Sequence, residues 1–392
     1  MKKNLFILAV AAFALASCSN DDTVAENVSF NESNAISFSP AINGVTRAAN
    51  GTGLKTAWES GDILYVYADF NGSKYFDDNF TSNGSGFYSE TKYYWPNDIS
   101  SSKKMTFSAF WGAEQKADTP NELAAAYTVP DAAASQKDLL FAKKVVEAKP
   151  ANGAGVVLNF RHMLSQIKVK VANDQPNMKI TVTGVRVGYV AKTGTFAYGS
   201  SEGVTDTQEE GTDNATKIAR TDWTPTAATA ATQLFDQTIS ATLTGTVAPA
   251  SAIDITDGTN GTPWILMPQQ LTQASGYTTA ATNGPVTTAT NPDLNGAYIA
   301  LKMTIENYNG TATTGTIVSE QWCYWPINTE WKPGYRYIYT INAGSGGYQP
   351  TDQNETATDL DPVLQNTAIW FAPTCTIDAW VDNASSVTIP QP

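Results

Sequence analysis

The chain has 392 residues, a formal net charge of -13 and only 16% charged residues. A uniformly acidic surface repels nucleic acid and anionic membranes, so nucleic acid is not expected as a partner. Aromatic residues make up 11% of the chain, and Thr, Ala, Gly, Ser and Asn are abundant. This composition favours β-sheet over helix.

The N-terminus has the order of a secretory signal peptide. Lys2 and Lys3 precede an apolar run at residues 5–15, which is shorter than the roughly 20 residues that a membrane-spanning helix needs. Residues 15–18 read Leu-Ala-Ser-Cys, which resembles the bacterial lipobox. We therefore predict a signal peptide at residues 1–17 and acylation of Cys18, with palmitate among the acyl chains. The alternative is an ordinary secreted protein with an unmodified cysteine here.

The first half of the exported chain reads as a tether followed by strands. Residues 18–34 are polar and are predicted to be a flexible tether. Short runs with alternating apolar residues then follow, separated by turn signals such as Asn71-Gly72. The predicted strands are residues 35–40, 62–68, 87–94, 105–111, 139–146, 156–160 and 166–172.

The second half repeats this pattern around two stretches that are poor in apolar residues. Residues 200–232 and 274–292 cannot bury enough surface to drive packing and are predicted to be surface loops. The predicted strands are residues 179–190, 238–247, 263–268, 297–305, 317–325, 335–342 and 374–381. Many short strands without helices between them predict an all-β fold of two β-sandwich domains in series, at residues 35–173 and 174–392.

Residues that carry catalytic or metal chemistry are sparse. His162 is the single histidine, so a Ser–His–Asp triad would have to use it, and a half-buried His bonded to a backbone carbonyl is favoured instead. We expect no enzyme activity, no cofactor and no metal site. Cys323 and Cys375 could form a disulfide or remain free buried thiols. The aromatic clusters at residues 93–96 and 322–326 are predicted to be core, with stacking on sugars as the alternative.

The order of several short blocks resembles the fimbrillin-like family of Bacteroidetes lipoproteins, the type V pilins. The blocks span most of the exported chain, and no single one is diagnostic. They are Ile36-Ser37-Phe38, Thr46-Arg47-Ala48, residues 56–67, Tyr94-Trp95-Pro96, 107–110, 138–142, 159–165, 266–269, 331–339 and Asp378-Ala379-Trp380.

The resemblance implies two transthyretin-like sandwich domains and an assembly mechanism. A trypsin-like protease cuts after an arginine that follows the first strand, the strand leaves, and a C-terminal strand of another subunit replaces it. On this sequence the first strand is residues 35–42, and the cut falls between Arg47 and Ala48. The candidate donor strand is Val387, Thr388 and Ile389, although two prolines flank the end of this tail.

Arg47 is also the first basic residue after Cys18, in a Gly- and Asn-rich loop of the kind that proteases nick. The alternative is an ordinary loop arginine. The resemblance thus predicts a fimbrial subunit or tip adhesin at the outer membrane and cell surface. Its partners are other subunits and a host or bacterial receptor or glycan. The alternative is a stand-alone surface lipoprotein that binds host or dietary glycans.

Overall fold

A computed structural model describes residues 35–42, 55, 57–151, 154–199, 218–228, 233–276, 293–351, 359–364 and 374–379. These residues form strands, turns and four short 3-10 turns, which confirms the predicted all-β fold. The 3-10 turns are Ala133–Ser135, Arg220–Asp222, Pro249–Ser251 and Ala343–Ser345. Among the described residues, no helix has the length and apolar character needed to cross a membrane.

Eight strands precede residue 165. They are β1 (Ala41–Ile42), β2 (Ile63–Phe70), β3 (Ser73–Ser82), β4 (Phe87–Tyr88), β5 (Met105–Trp111), β6 (Tyr127–Thr128), β7 (Leu140–Val146) and β8 (Asn159–His162). Seven of them form one sheet, in the order β1-β8-β7-β5-β2-β3-β4. Alternation along β2 points Leu64, Val66 and Ala68 into a hydrophobic core. Phe107 of β5 and Phe160 of β8 belong to the same core.

The later strands are longer on average. They are β9 (Ser165–Ala172), β10 (Met178–Gly188), β11 (Thr193–Phe196), β12 (Trp223–Pro225), β13 (Leu234–Thr244), β14 (Ile253–Asp254), β15 (Trp264–Leu266), β16 (Tyr298–Tyr308), β17 (Thr313–Pro326), β18 (Tyr335–Asn342), β19 (Tyr348–Pro350), β20 (Leu360–Pro362) and β21 (Thr374–Ala379).

Two sheets of these strands form the second sandwich. The six-stranded sheet has the order β13-β10-β16-β17-β19-β20, and the five-stranded sheet contains β14-β9-β18-β21 with β15 beside β9. Inward side chains of both sheets, such as Val182 of β10 and Val169 of β9, belong to one hydrophobic core. The domain boundary after residue 173 stays a prediction, and β9, which ends just before it, pairs with β14, β15 and β18.

A small sheet connects the two regions. Its order is β12-β11-β6. Phe110 of β5 and Phe141 of β7 point away from the first core and lie 5.9 Å and 5.6 Å, centroid to centroid, from Phe196 of β11. Phe196 in turn contacts Trp223 of β12 at 5.2 Å. The second face of the seven-stranded sheet is therefore continuous with the core of the second sandwich.

Candidate functional site

Residues 35–42, called the filler segment below, bridge the two edges of the seven-stranded sheet. On one side Phe38 exchanges backbone hydrogen bonds with Phe87 of β4, at N–O distances of 3.2 Å and 3.0 Å. On the other side the amide of Ser39 donates to the carbonyl of Val156 at 2.9 Å, and the Val156 amide donates to the carbonyl of Ser37 at 2.8 Å. The segment ends as β1, which pairs in parallel with β8.

The filler segment holds its place largely through two buried side chains. Its alternation puts Ile36 and Phe38 inside, where they are 2% and 0% exposed, while Ser39 faces solvent. The ring of Phe38 meets the edges of Phe80 and Phe107 at centroid distances of 4.8 Å and 5.2 Å. Edge-to-face rings at this separation attract beyond their buried area. The site at Phe38 is therefore an aromatic pocket rather than a generic apolar one.

Two glycines bring the flanking strands close to the backbone of the filler segment. A Cβ atom on Gly155 would lie 2.6 Å from Ser39 Oγ and 2.9 Å from the Ser39 amide nitrogen. On the opposite side, a Cβ atom on Gly86 would lie 3.3 Å from the carbonyl oxygen of Phe38. The channel around the backbone at residues 38 and 39 is narrow, and it accommodates a small side chain at position 39.

The chain that follows residue 54 is anchored beside this channel. The Trp58 ring lies 5.2 Å from both Phe87 and Phe160, so it contacts the strands on both sides of the filler segment. Lys55 Nζ forms an ion pair with Asp62 at 2.7 Å. The same carboxylate accepts a 3.1 Å hydrogen bond from Trp111 Nε1. These contacts join residues that lie outside the filler segment.

Most of the site residues predicted from sequence lie outside the described residues. This holds for Cys18, for Arg47 and Ala48, and for residues 387–389. The filler segment spans the residues of the predicted first strand, of which only Ala41–Ile42 form a strand, with isolated bridges at Ala35 and Phe38. The sequence did not identify Gly86 and Gly155, because each lies in a Gly- and polar-rich stretch that reads as an ordinary loop. Trp58 and Asp62 lie in residues 56–67, one of the blocks that resemble the fimbrillin-like family. That resemblance is the sequence signal that could have identified them as site residues.

His162 is buried, and it pairs with a carboxylate. Its Nδ1 lies 2.6 Å from Asp138 Oδ2, and Asp138 is 0% exposed. The sequence predicted a half-buried His162 bonded to a backbone carbonyl and did not predict the Asp138 carboxylate as a partner. The same carboxylate oxygen accepts a 3.3 Å hydrogen bond from the amide of Lys55. The pair therefore ties the start of β7 and the end of β8 to the anchored chain.

The two cysteines are free and buried on different sheets. Cys323 lies on β17 of the six-stranded sheet and Cys375 on β21 of the five-stranded sheet. Burial raises the pKa of each thiol to about 12. Such thiols stay protonated at neutral pH and act as packing groups.

The two aromatic clusters differ in burial, and only the cluster at residues 322–326 is mostly internal. Cys323, Tyr324 and Trp325 are buried, and half-buried Trp322 lies under Arg186, whose guanidinium carbon is 4.2 Å from the ring centroid. In the first cluster Tyr93 stacks on Phe76 at 4.3 Å. Core packing, the favoured interpretation, therefore describes the second cluster, whereas in the first cluster Tyr93, Trp95 and Pro96 are half-buried and Tyr94 is exposed. Within the described part of the chain, no group of His, Cys, Asp or Glu side chains is arranged to hold a metal ion.

A cavity opens beside the exposed side of the filler segment, at Ser37. Its volume is about 300 Å³. The lining residues are Ala35, Ile36, Ser37, Asn83, Tyr88, Ser89 and Lys92. Tyr88 is 50% exposed there.

Comparison with known proteins gives one family. The sequence model of the fimbrillin-like family matches residues 46–359. No curated protein matches.

Solved structures that resemble the chain come from Bacteroides and Porphyromonas species. A fimbrial protein of Bacteroides vulgatus is 14% identical, with a TM-score of 0.41 over 88% of this chain and 99% of that one. A putative cell adhesion protein of Bacteroides ovatus is 15% identical, with a TM-score of 0.38 over 86% and 98%. The C-terminally truncated tip fimbrial protein Mfa3 of Porphyromonas gingivalis is 10% identical, with a TM-score of 0.34 over 78% and 95%.

Proposed function

The chain belongs to the fimbrillin-like family, which supports a fimbrial subunit at the cell surface, and from this premise we propose that it is exported as a lipoprotein and polymerises by β-strand exchange. In this proposal Cys18 carries lipid that holds the precursor at the outer membrane. A trypsin-like protease then cuts between Arg47 and Ala48. The assembled fimbria adheres to a host or bacterial receptor or glycan. This function also accords with the expectation that the chain is not an enzyme.

The bridging position of the filler segment is the observation that carries this proposal. The segment pairs with β4 on one side and with Val156 and β8 on the other, and it is followed by the stretch that contains Arg47. After a cut, residues 18–47 would be held only by non-covalent contacts. Their loss would uncover unpaired backbone groups on two strands and the apolar pocket of Phe38. Such an opening favours an incoming strand, whose main chain restores the hydrogen bonds and whose alternate side chains refill the pockets.

The tail at residues 387–389 is one candidate donor. It offers a Val and an Ile two positions apart, so both can point to the same face of an extended strand. The anchoring of Lys55 and Trp58 supports the proposal further, because it fixes the new N-terminal part of the cut chain beside the opened groove.

Arg47→Ala tests the cut and its consequence together. We expect an arginine-specific protease to shorten the wild-type chain to one that begins at Ala48 and to produce SDS-resistant ladders. The Arg47→Ala chain should give neither product, while the neighbouring Asn50→Ala control should behave as the wild type. Mass spectrometry and unheated SDS gels report the outcome. Strand exchange is wrong if Arg47→Ala leaves the ladders and the chain length unchanged.

Cys18→Ala tests the anchor separately. We expect this variant to lose metabolic labelling by palmitate and to leave the outer-membrane fraction. A chance cysteine predicts no label even in the wild type. Either result leaves the Arg47 experiment interpretable, because protease can be added to the purified precursor.

A further inference from the structure

A second segment of the chain repeats the sequence that fills the groove. Residues 35–40 read Ala-Ile-Ser-Phe-Ser-Pro, and residues 368–373 read Ala-Ile-Trp-Phe-Ala-Pro. Four of the six positions are identical. We propose that residues 368–373 of a second copy of this chain form the strand that replaces the filler segment. This inference rests on the proposed function and names the donor.

The buried positions of the groove fit this donor. In the register that the repeat gives, Ile369 takes the place of Ile36 and Phe371 takes the place of Phe38. Phe38 is 0% exposed between the rings of Phe80 and Phe107, so an aliphatic side chain there would leave part of the pocket empty. An aromatic residue at this position restores both ring contacts. The repeat therefore matches the most selective pocket of the groove.

The narrow part of the channel fits as well. The replacement for Ser39 must keep an amide hydrogen to donate to the carbonyl of Val156, 2.9 Å away, and a small side chain there preserves the close contact with Gly155. Ala372 meets both requirements. Pro373 then stands where Pro40 stands, one residue after the constriction.

The largest difference between the two segments falls where the structure has free space. Ser37 of the filler segment borders the cavity of about 300 Å³, together with Tyr88 and Lys92. The repeat places Trp370 at this position. An indole that enters the cavity would cover the half-exposed ring of Tyr88 and lie within reach of the Lys92 ammonium, a cation that favours aromatic faces. Residues 368–373 would thus fill the groove more completely than the segment that leaves it.

The tail at residues 387–392 fits these same positions less well. Aligned on the aliphatic residues, Ile389 would occupy the aromatic pocket and Pro390 would stand against Gly155. Proline has no amide hydrogen, so the bond to the Val156 carbonyl would be lost. The tail also brings no aromatic residue to the cavity.

Peptide binding to the cut protein tests the assignment. The full chain with Phe38→Ala is cut by an arginine-specific protease. This substitution weakens the binding of the filler segment and leaves the residues of the groove unchanged. If the Phe38→Ala chain does not fold, the Ile36→Ala chain is used in its place. Four labelled peptides are compared by fluorescence anisotropy: residues 35–40, residues 368–373, residues 368–373 with Phe371→Ala, and residues 387–392. We expect the first two to bind and the last two to bind at least 10-fold more weakly.

Each other result has a definite meaning. Equal or tighter binding of residues 387–392 overturns the inference and keeps strand exchange, with the tail as donor. Binding of residues 35–40 alone also overturns it, because the donor then comes from a different protein. If no peptide binds, including residues 35–40, the groove accepts no strand and the proposed function fails as well.

Full-chain variants test whether a second copy supplies the strand. We expect Phe371→Ala to lose the protease-induced ladders, Phe371→Tyr to keep them, and Ile389→Ala to keep them. The unfolding midpoint of each variant is measured first, so that a loss of ladders is read only in a folded chain. Ladders that survive Phe371→Ala, or that disappear with Ile389→Ala alone, contradict the assignment.

Discussion

The seven-stranded sheet and the six-stranded sheet are completed in different ways. In the six-stranded sheet β10 pairs with β16 along its whole length, and β16 pairs in turn with the long strand β17. In the seven-stranded sheet the last position is taken by the filler segment, which contributes the two residues of β1 and bridges at Ala35 and Phe38. The centre of the six-stranded sheet is thus held by long strands on both sides, whereas the first region is completed by a short segment at its edge.

This difference predicts a higher free energy of local opening for β16 than for the filler segment. Pulling β16 from its sheet would break hydrogen bonds on both sides over its full length and expose Ile299, Leu301, Met303 and Ile305. Releasing the filler segment exposes mainly the pockets of Ile36 and Phe38. Local opening free energies follow such differences in buried contacts. A protein can therefore combine a stable body with one exchangeable strand.

Of the changes considered, Phe38→Ala should have the largest effect on the free energy of unfolding. Removing a fully buried Phe ring costs about 3–5 kcal/mol of the free energy of unfolding, because transfer energy is lost and a cavity remains. The loss should be confined to the first region, since Phe38 contacts Phe80 and Phe107 and belongs to the first core. Hydrogen exchange should become faster at the amides of Phe87 and Val156, which pair with the filler segment.

Ser37→Ala is the matched control for this variant. Its side chain is half-buried and borders the cavity, so its effect should stay within about 0.5 kcal/mol. Faster exchange throughout β10 and β16 in the Phe38→Ala chain would contradict the confinement of the loss to the first region.

Alkaline pH should lower the free energy of unfolding of the second sandwich, and this is the second largest effect that we expect. Burial raises the pKa of Cys323 and of Cys375 from 9.0 to about 12. Between these values the unfolded chain loses the thiol protons while the folded chain keeps them. The free energy of unfolding is therefore unaffected by the thiols below pH 9 and falls above it, by about 1.4 kcal/mol per pH unit for each thiol.

Urea unfolding at pH 8, 9 and 10 with a reductant checks this slope. The double variant Cys323→Ala and Cys375→Ala should have a flatter profile between pH 9 and 10. Tyr127, whose pKa burial raises to about 12, adds to the loss only above pH 10. An unchanged profile in the double variant would mean that the thiols do not carry the effect.

The strands that the sequence predicted well are those with clean alternation. Residues 105–111 and 335–342 are found as β5 and β18 with the predicted bounds. The strand β3 (Ser73–Ser82) was missed, because the acidic pair Asp77-Asp78 interrupts its apolar pattern and its only buried apolar residues are Phe76 and Phe80. The predicted strand at residues 87–94 contains only the two residues of β4.

The candidate site was predictable only in part. The resemblance of residues 36–48 to a known family pointed to the filler segment and to Arg47. The pairing of that segment with both β4 and Val156 depends on contacts between residues far apart in the chain, and a local pattern carries no such information. The same holds for Gly155, whose role appears only when Ser39 lies against it.

Gly155→Ala and Gly184→Ala form the pair with the smallest expected effects, and they separate the two regions. The three atoms nearest to the added methyl at Gly155 all belong to the filler segment, in Phe38 and Ser39. The methyl at Gly184 of β10 would lie 3.0 Å from the Trp322 ring and 3.1 Å from Lys302 Cβ, both in the permanent scaffold. Overpacking of this kind costs about 1–3 kcal/mol of the free energy of unfolding.

We expect both variants to destabilise the intact chain, and only Gly184→Ala to destabilise the chain from which the filler segment has been removed. Denaturant midpoints before and after the protease cut give the comparison. If Gly155→Ala costs the same in both forms, its methyl disturbs β8 itself, and the first region would then be as fixed as the second.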